Sequence, residues 1–184
     1  HAVLNTLKKL EKQGFEVALL RPDEEGLVSP QQVEAAIRED TALVSVMYAN
    51  NEIGTIAPVA DIGRICRERG VVFHTDAVQA AGAIDIDVKA QDIDMLSLSA
   101  HKFHGPKGIG LLYARRGTEL VSLIEGGAQE RGRRAGTENL PAIAGMAAAF
   151  SEACINRQEN TIKTAQLRDY VISRLSEIPG AVLN

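Results

Sequence analysis

Apolar positions along the 184-residue chain switch repeatedly between helical and strand spacing. Leu4, Leu7 and Leu10 fall on one face of a helix, which Gly14 stops. Phe15 to Leu20 reads as a strand, followed by the charged turn Arg21-Pro22-Asp23-Glu24-Glu25-Gly26. Ser29-Pro30-Gln31-Gln32 has the form of a capping box, with a hydroxyl at the cap, proline at the first helical position and glutamine one turn on. It predicts a helix to about Arg38. The nearly continuous apolar run Leu43 to Ala49 predicts a strand that ends in Asn50-Asn51-Glu52-Ile53-Gly54. Pro58 opens a helix through Ile62, Ile65 and Cys66 to Gly70. Val71 to Thr75, Asp94 to Leu98 and Gly110 to Ala114 are further strands. After the glycine-rich segment Gly126 to Gly136, helical patterns cover about Leu140–Arg157 and Thr161–Ile178.

Strands that alternate with helices predict an α/β fold. Because the strands read as apolar on both faces, the expected sheet is mostly parallel, flanked by helices and covered on both sides. Ligands of such sheets gather beyond the carboxyl ends of the strands. Asn50-Asn51, Asp76 and Ser99-Ala100-His101-Lys102 each follow a strand in that sense. Three polar clusters are thereby expected around one crevice.

Composition narrows the partners more than it identifies them. With 45% hydrophobic and 24% charged residues the chain has a globular profile, and a net charge of −4 gives no footing for nucleic acid or an anionic membrane. No apolar run reaches the roughly 18 residues a membrane span needs. Cys66 and Cys154 sit in helical patterns without CxxC or His/Cys ligand spacing, so neither zinc nor a disulfide framework is expected, and a reducing, cytoplasmic setting fits. No basic-then-apolar leader is visible, and a helix already under way at His1-Ala2-Val3-Leu4 suggests a processing boundary. Neither GxGxxG before a helix nor GxxxxGK[ST] occurs, which removes support for a dinucleotide or P-loop site.

The candidate chemistry centres on Lys102. A lysine at a strand end, beside His101 and ahead of the turn Gly105-Pro106-Lys107-Gly108, can form an imine with an aldehyde cofactor; a solvated surface lysine is the plainer alternative. Asp76 can hold a pyridine nitrogen protonated, as pyridoxal phosphate (PLP) requires, or can simply cap the next turn. Gln79, one helical turn on, can reach the same ring. Asn51, beside Glu52-Ile53-Gly54, reads as a turn residue, and Ser99 with His101 is a phosphate contact or a loop cap. The segment Gly126 to Thr137 is an anion site built from backbone N–H groups and Thr137, or a solvated loop.

These residues, in this order, resemble the class V aminotransferase-like, PLP-dependent cysteine desulfurases of the NifS/IscS type. The resemblance runs through Ala2-Val3-Leu4, Asn50-Asn51-Glu52-Ile53-Gly54, His74-Thr75-Asp76-Ala77-Val78-Gln79, Ser99-Ala100-His101-Lys102, Gly105-Pro106-Lys107-Gly108-Ile109-Gly110 and Arg131-Gly132-Arg133-Arg134-Ala135-Gly136-Thr137. It implies a PLP-transferase large domain of fold type I. It also implies that Lys102 is the Schiff-base lysine, Asp76 the pyridine-nitrogen partner, Gln79 a contact to the ring hydroxyl and Asn51 a ring-side amide. Ser99 and His101 would bind the phosphate, and Thr137 would reach the phosphate of a neighbouring subunit in a homodimer. The implied reaction converts L-cysteine to L-alanine and passes sulfur through an enzyme persulfide to an acceptor such as an iron–sulfur scaffold protein.

The chain departs from the family pattern at its ends. His1 falls at the x of a Glu-His-x-Ala-Val pattern, so the ring-stacking histidine, the N-terminal phosphate turn and the catalytic-cysteine loop are expected to lie outside the chain. Residues 1–157 are then expected to be the large domain, truncated at its start, and residues 158–184 the beginning of the connection to a small domain. Without the cysteine loop the isolated chain is expected to be inactive. The alternatives are a selenocysteine lyase or another class V PLP enzyme, and a non-catalytic dimerisation or binding module.

Overall fold

Four apolar runs pair into one sheet. In the computed structural model, which describes residues 2–183, β1 (Leu43–Met47), β2 (Val72–Asp76), β3 (Met95–Ser99) and β4 (Gly110–Ala114) lie side by side in chain order. β1, β2 and β3 run parallel, and β4 closes the edge antiparallel to β3. The α/β class and the mostly parallel sheet are as the sequence predicts. The register sets Met47 beside Asp76 and Asp76 beside Ser97, which brings three carboxyl ends to one edge.

The helices are α1 (Ala2–Glu11), α2 (Pro30–Ala36), α3 (Val59–Arg69), α4 (Leu140–Ile155) and α5 (Arg157–Ser176). At α2 the capping box forms in full: Ser29 Oγ accepts from Gln32 N, and Gln32 Oε1 accepts from Ser29 N. The helix stops short of Arg38 because Ile37 is already extended. Gly70 closes α3 in the left-handed region (φ 68°), where a side chain would be strained. At the other end α5 starts earlier than Thr161, directly after the Asn156 junction.

Phe15 to Leu20 is not a strand. The segment has no paired neighbour among the described residues, and Phe15 and Leu19 are exposed. β-propensity expresses itself only where a ladder partner exists.

The sheet also departs from the expectation of two apolar faces. Val44, Val46, Phe73, Leu96, Leu98 and Tyr113 share one face by alternation and register, and they pack with Ile62 and Cys66 of α3 in the main core. The opposite face carries Ser45, His74, Asp76, Ser97 and Ser99. A second cluster of Ala81, Ala100, Phe103 and Met146 fastens α4 to the segment after β3.

Candidate functional site

The residues that follow β3 form a 3-10 turn, Ala100–Phe103. Ala100 and Phe103 are buried while His101 and Lys102 between them are exposed, so the turn is pinned at its two ends and presents its polar pair outward. Phe103 also packs edge-on against Phe150 of α4, with ring centroids 5.2 Å apart. The loop beyond is held by close backbone approach. A Cβ at Gly105 would lie 2.9 Å from the Ala100 Cβ, and one at Gly110 would lie 2.8 Å from the Leu98 carbonyl oxygen. These glycines let the chain double back on itself, which fixes where Lys102 emerges.

Ser99 does not cap this turn through its side chain. Its hydroxyl instead pairs with His101 Nδ1 at 2.8 Å, making a hydroxyl–imidazole couple beside Lys102. Asp76 ends β2, and its Oδ1 accepts from Val78 N at 3.0 Å; this is the only hydrogen bond of its side chain among the described residues. The carboxylate therefore both organises the next turn and keeps acceptor capacity. That turn is helical in character, with Ala80 N and Ala81 N donating to the Ala77 carbonyl. It carries Gln79 to the half-buried side of the site.

At the end of β1 the structure assigns the turn to Asn50, not Asn51. Asn50 Oδ1 accepts from both Glu52 N and Ile53 N, which leaves the exposed Asn51 amide outside that task. Asn51, Asp76, Ser99, His101 and Lys102 are thus gathered at the carboxyl edge of β1, β2 and β3. Thr137 is not among them. It is exposed in the stretch that leads to α4, after a loop in which Glu130 and Arg131 have left-handed backbone (φ 48° and 59°). His1 lies outside the described residues.

A cavity of about 590 Å³ flanks the lysine turn on its α4–α5 side. Gln79, Lys102, His104, Asn156 and Arg168 contribute to its wall, but Asn51, Asp76, Ser99 and His101 do not. The cavity and the strand-end cluster meet at Gln79 and Lys102. The strand ends hold the carboxylate and the hydroxyl–imidazole couple, and the cavity adjoins them.

One polar group was not legible as a site residue. His74, two residues before Asp76, bridges the sheet: its Nδ1 is 2.8 Å from Ser45 Oγ on β1 and its Nε2 is 2.8 Å from Ser97 Oγ on β3. Burial pushes its pKa below the ordinary histidine value, with the Asp76 charge opposing more weakly. The available signal was the polar residue at every second position inside runs that otherwise read as apolar. Among the described residues no cluster of His, Cys, Asp and Glu could hold a metal ion, and no helix is long and apolar enough to cross a membrane.

Comparison with known proteins places this geometry. The model of the aminotransferase class-V family matches residues 1–184. The chain is 52% identical over its whole length to a cysteine desulfurase IscS of Clostridium botulinum strain Hall, of which it covers 47%. It is 53% identical to the cysteine desulfurase IscS of Methanosarcina thermophila, covering 46% of it. A solved NifS-like protein superposes with a TM-score of 0.92 at 44% identity, over 96% of this chain and 49% of that one. A structure of SspA in complex with cysteine gives a TM-score of 0.79 at 52% identity, over 81% of this chain and 44% of that one. The chain spans about half the length of the curated relatives it matches.

Proposed function

Because this chain belongs to the class-V aminotransferase family, we propose that it is the cofactor-binding portion of a PLP-dependent cysteine desulfurase. The observation that carries this is the register of β1, β2 and β3. It sets Asp76, the Ser99–His101 couple and Lys102 at neighbouring strand ends, at spacings of about 5 Å between strands. L-cysteine as substrate is supported by the curated relatives and by the cysteine-bound neighbour. Residues 1–157 are assigned to the large domain and 158–184 to the start of a connection to a small domain, in a cytoplasmic homodimer.

The donor set fits PLP. The group needs an amine for its aldehyde, an anion for its ring nitrogen and donors for its phosphate. Lys102, Asp76 with acceptor capacity in hand, and the Ser99–His101 couple answer each need. When bound, PLP supplies an electron sink for the charge left at the substrate Cα. Lys102 Nζ would hold its aldehyde and, once displaced by the substrate amine and free again, would be the base for the Cα proton. The Asp76 carboxylate would hold the proton on the ring nitrogen. Gln79 and Asn51 would orient the ring through their amides, and Thr137 would contact the phosphate held by the partner subunit.

Sulfur removal needs a thiolate able to reach the substrate, and neither cysteine here suits that task. Cys66 is buried in the α3 core, and burial, aided by the Asp94 charge, pushes its thiol up to about 11. Cys154 lies within α4 and is half-buried. The isolated chain is therefore assigned PLP binding without desulfurase turnover, and the persulfide and its delivery to an iron–sulfur scaffold are assigned to the complete enzyme. The test is paired. PLP added to the chain should produce a bound visible absorbance that changes on adding L-cysteine, while no sulfide or alanine accumulates. Absence of the absorbance sinks the cofactor assignment, and steady alanine release sinks the assignment of turnover to the complete enzyme.

A further inference from the structure

The strand-end cluster leaves the Ser45–His74–Ser97 bridge unexplained. We propose that His74 is a positioning residue: a neutral imidazole clamped across three strands, which fixes the end of β2 and keeps the Asp76 carboxylate undivided for the ring nitrogen of the cofactor. The second half of that statement rests on the assignment of Asp76 made above.

The geometry of the bridge suits a neutral ring. A neutral imidazole has one N–H and one lone pair, and a serine hydroxyl can accept from the first or donate to the second. Both ring nitrogens are engaged at 2.8 Å, by hydroxyls from the strands on either side. His74 and Asp76 stand two positions apart on one face of β2, about 7 Å along the strand. Were the imidazole charged, Asp76 would be its counter-ion, and the carboxylate would answer to two cations once a protonated ring nitrogen arrived. Two hydroxyls in place of a carboxylate satisfy the ring without charging it.

Among the described residues, the surroundings add no competing charge. β1 presents Ser45 and Met47 to this face and β3 presents Met95 and Ser97, none of which ionises near neutrality. α3 packs on the opposite face, against Phe73. Among the described residues, Asp76 is the one charged group that acts on His74. Its pull toward the charged ring is outweighed by burial.

Two arms test this on the chain as it stands. In the first, nitrogen NMR of the imidazoles follows His74 without cofactor, its signal assigned by its loss in His74→Gln. The expected ring titrates below the ordinary 6.5, and lower still in Asp76→Asn. A ring that titrates at or above 6.5, or ignores Asp76→Asn, overturns the proposal whether or not PLP binds.

In the second arm, PLP affinity is measured in a double-substitution cycle. His74→Gln should weaken PLP about tenfold with Asp76 present and less than about twofold in the Asp76→Asn background, because the effect passes through Asp76. Equal losses in both backgrounds would show a merely structural clamp and overturn the proposal. If His74→Gln fails to fold, Ser97→Ala takes its place in the cycle, with the same coupled pattern expected and equal losses again decisive against it. Failure of the unsubstituted chain to take up any PLP overturns the Asp76 assignment and the cofactor half of this proposal. An additive cycle on PLP-bound protein overturns the His74 proposal alone.

Discussion

Lys102 gains its standing from its neighbours, because an exposed lysine alone carries no information. Ala100 and Phe103 bury either side of it, and the Ser99–His101 couple sits beside it. At this scale the sequence was legible where a residue type had few uses. Asp76 at the end of an apolar strand was one such case. It was less legible at Asn50-Asn51, where only the structure shows that Asn50, and not Asn51, makes the turn. His74 was missed because a half-buried histidine between serines leaves no motif. The same account predicts that Asp76→Asn lowers PLP affinity by at least about tenfold while leaving the fold intact, read by fluorescence titration beside circular dichroism. It also predicts that Cys66, with its thiol raised to about 11 and buried, resists alkylation in the folded chain at neutral pH and reacts on unfolding. Mass mapping of the alkylated peptides checks this, and rapid Cys66 labelling of folded protein would contradict it.

Element boundaries followed local chemistry closely where local chemistry was sufficient. Ser29 and Gln32 announced α2, and the reciprocal bonds form as the motif requires. Removing the cap hydroxyl by Ser29→Ala should cost about 1 kcal/mol in urea unfolding. A loss near zero would mean that packing of Val33, which is buried, already holds the helix. Phe15 to Leu20 failed as a strand for the converse reason, since a strand needs a partner that its own sequence does not specify. The antiparallel direction of β4 was likewise not a property of Gly110 to Ala114 alone. It follows from the short connection after the lysine turn, which leaves no length for a crossover helix.

At the scale of the molecule, the sheet divides its labour between faces. Phe73 and its neighbours supply cohesion on one face, while Ser45, His74, Asp76 and Ser97 occupy the other. That polar face ties stability to pH. The unfolded chain takes a proton on histidine near 6.5, whereas folded His74 resists protonation until lower pH. In that window the unfolded state binds more protons, so the His74 contribution is complete above 6.5 and is lost as pH falls through the folded value. The urea midpoint should therefore drop between about pH 7.5 and about pH 5.5, and drop less in His74→Gln. An equal drop in both proteins would assign the effect to other groups.

The proposed sharing of each site between two subunits predicts a second whole-molecule behaviour. Lys102→Ala chains mixed with Thr137→Val chains should regain PLP affinity at sites that neither homodimer offers, whereas a self-contained site would give only the average of the two. The central claim is that Lys102 captures PLP at the strand-end cluster, and borohydride reduction of PLP-treated chain followed by peptide mass mapping tests it most directly. The account predicts one stable PLP adduct, on Lys102, that disappears in Lys102→Ala. An adduct spread over surface lysines, or one that survives Lys102→Ala, would contradict it.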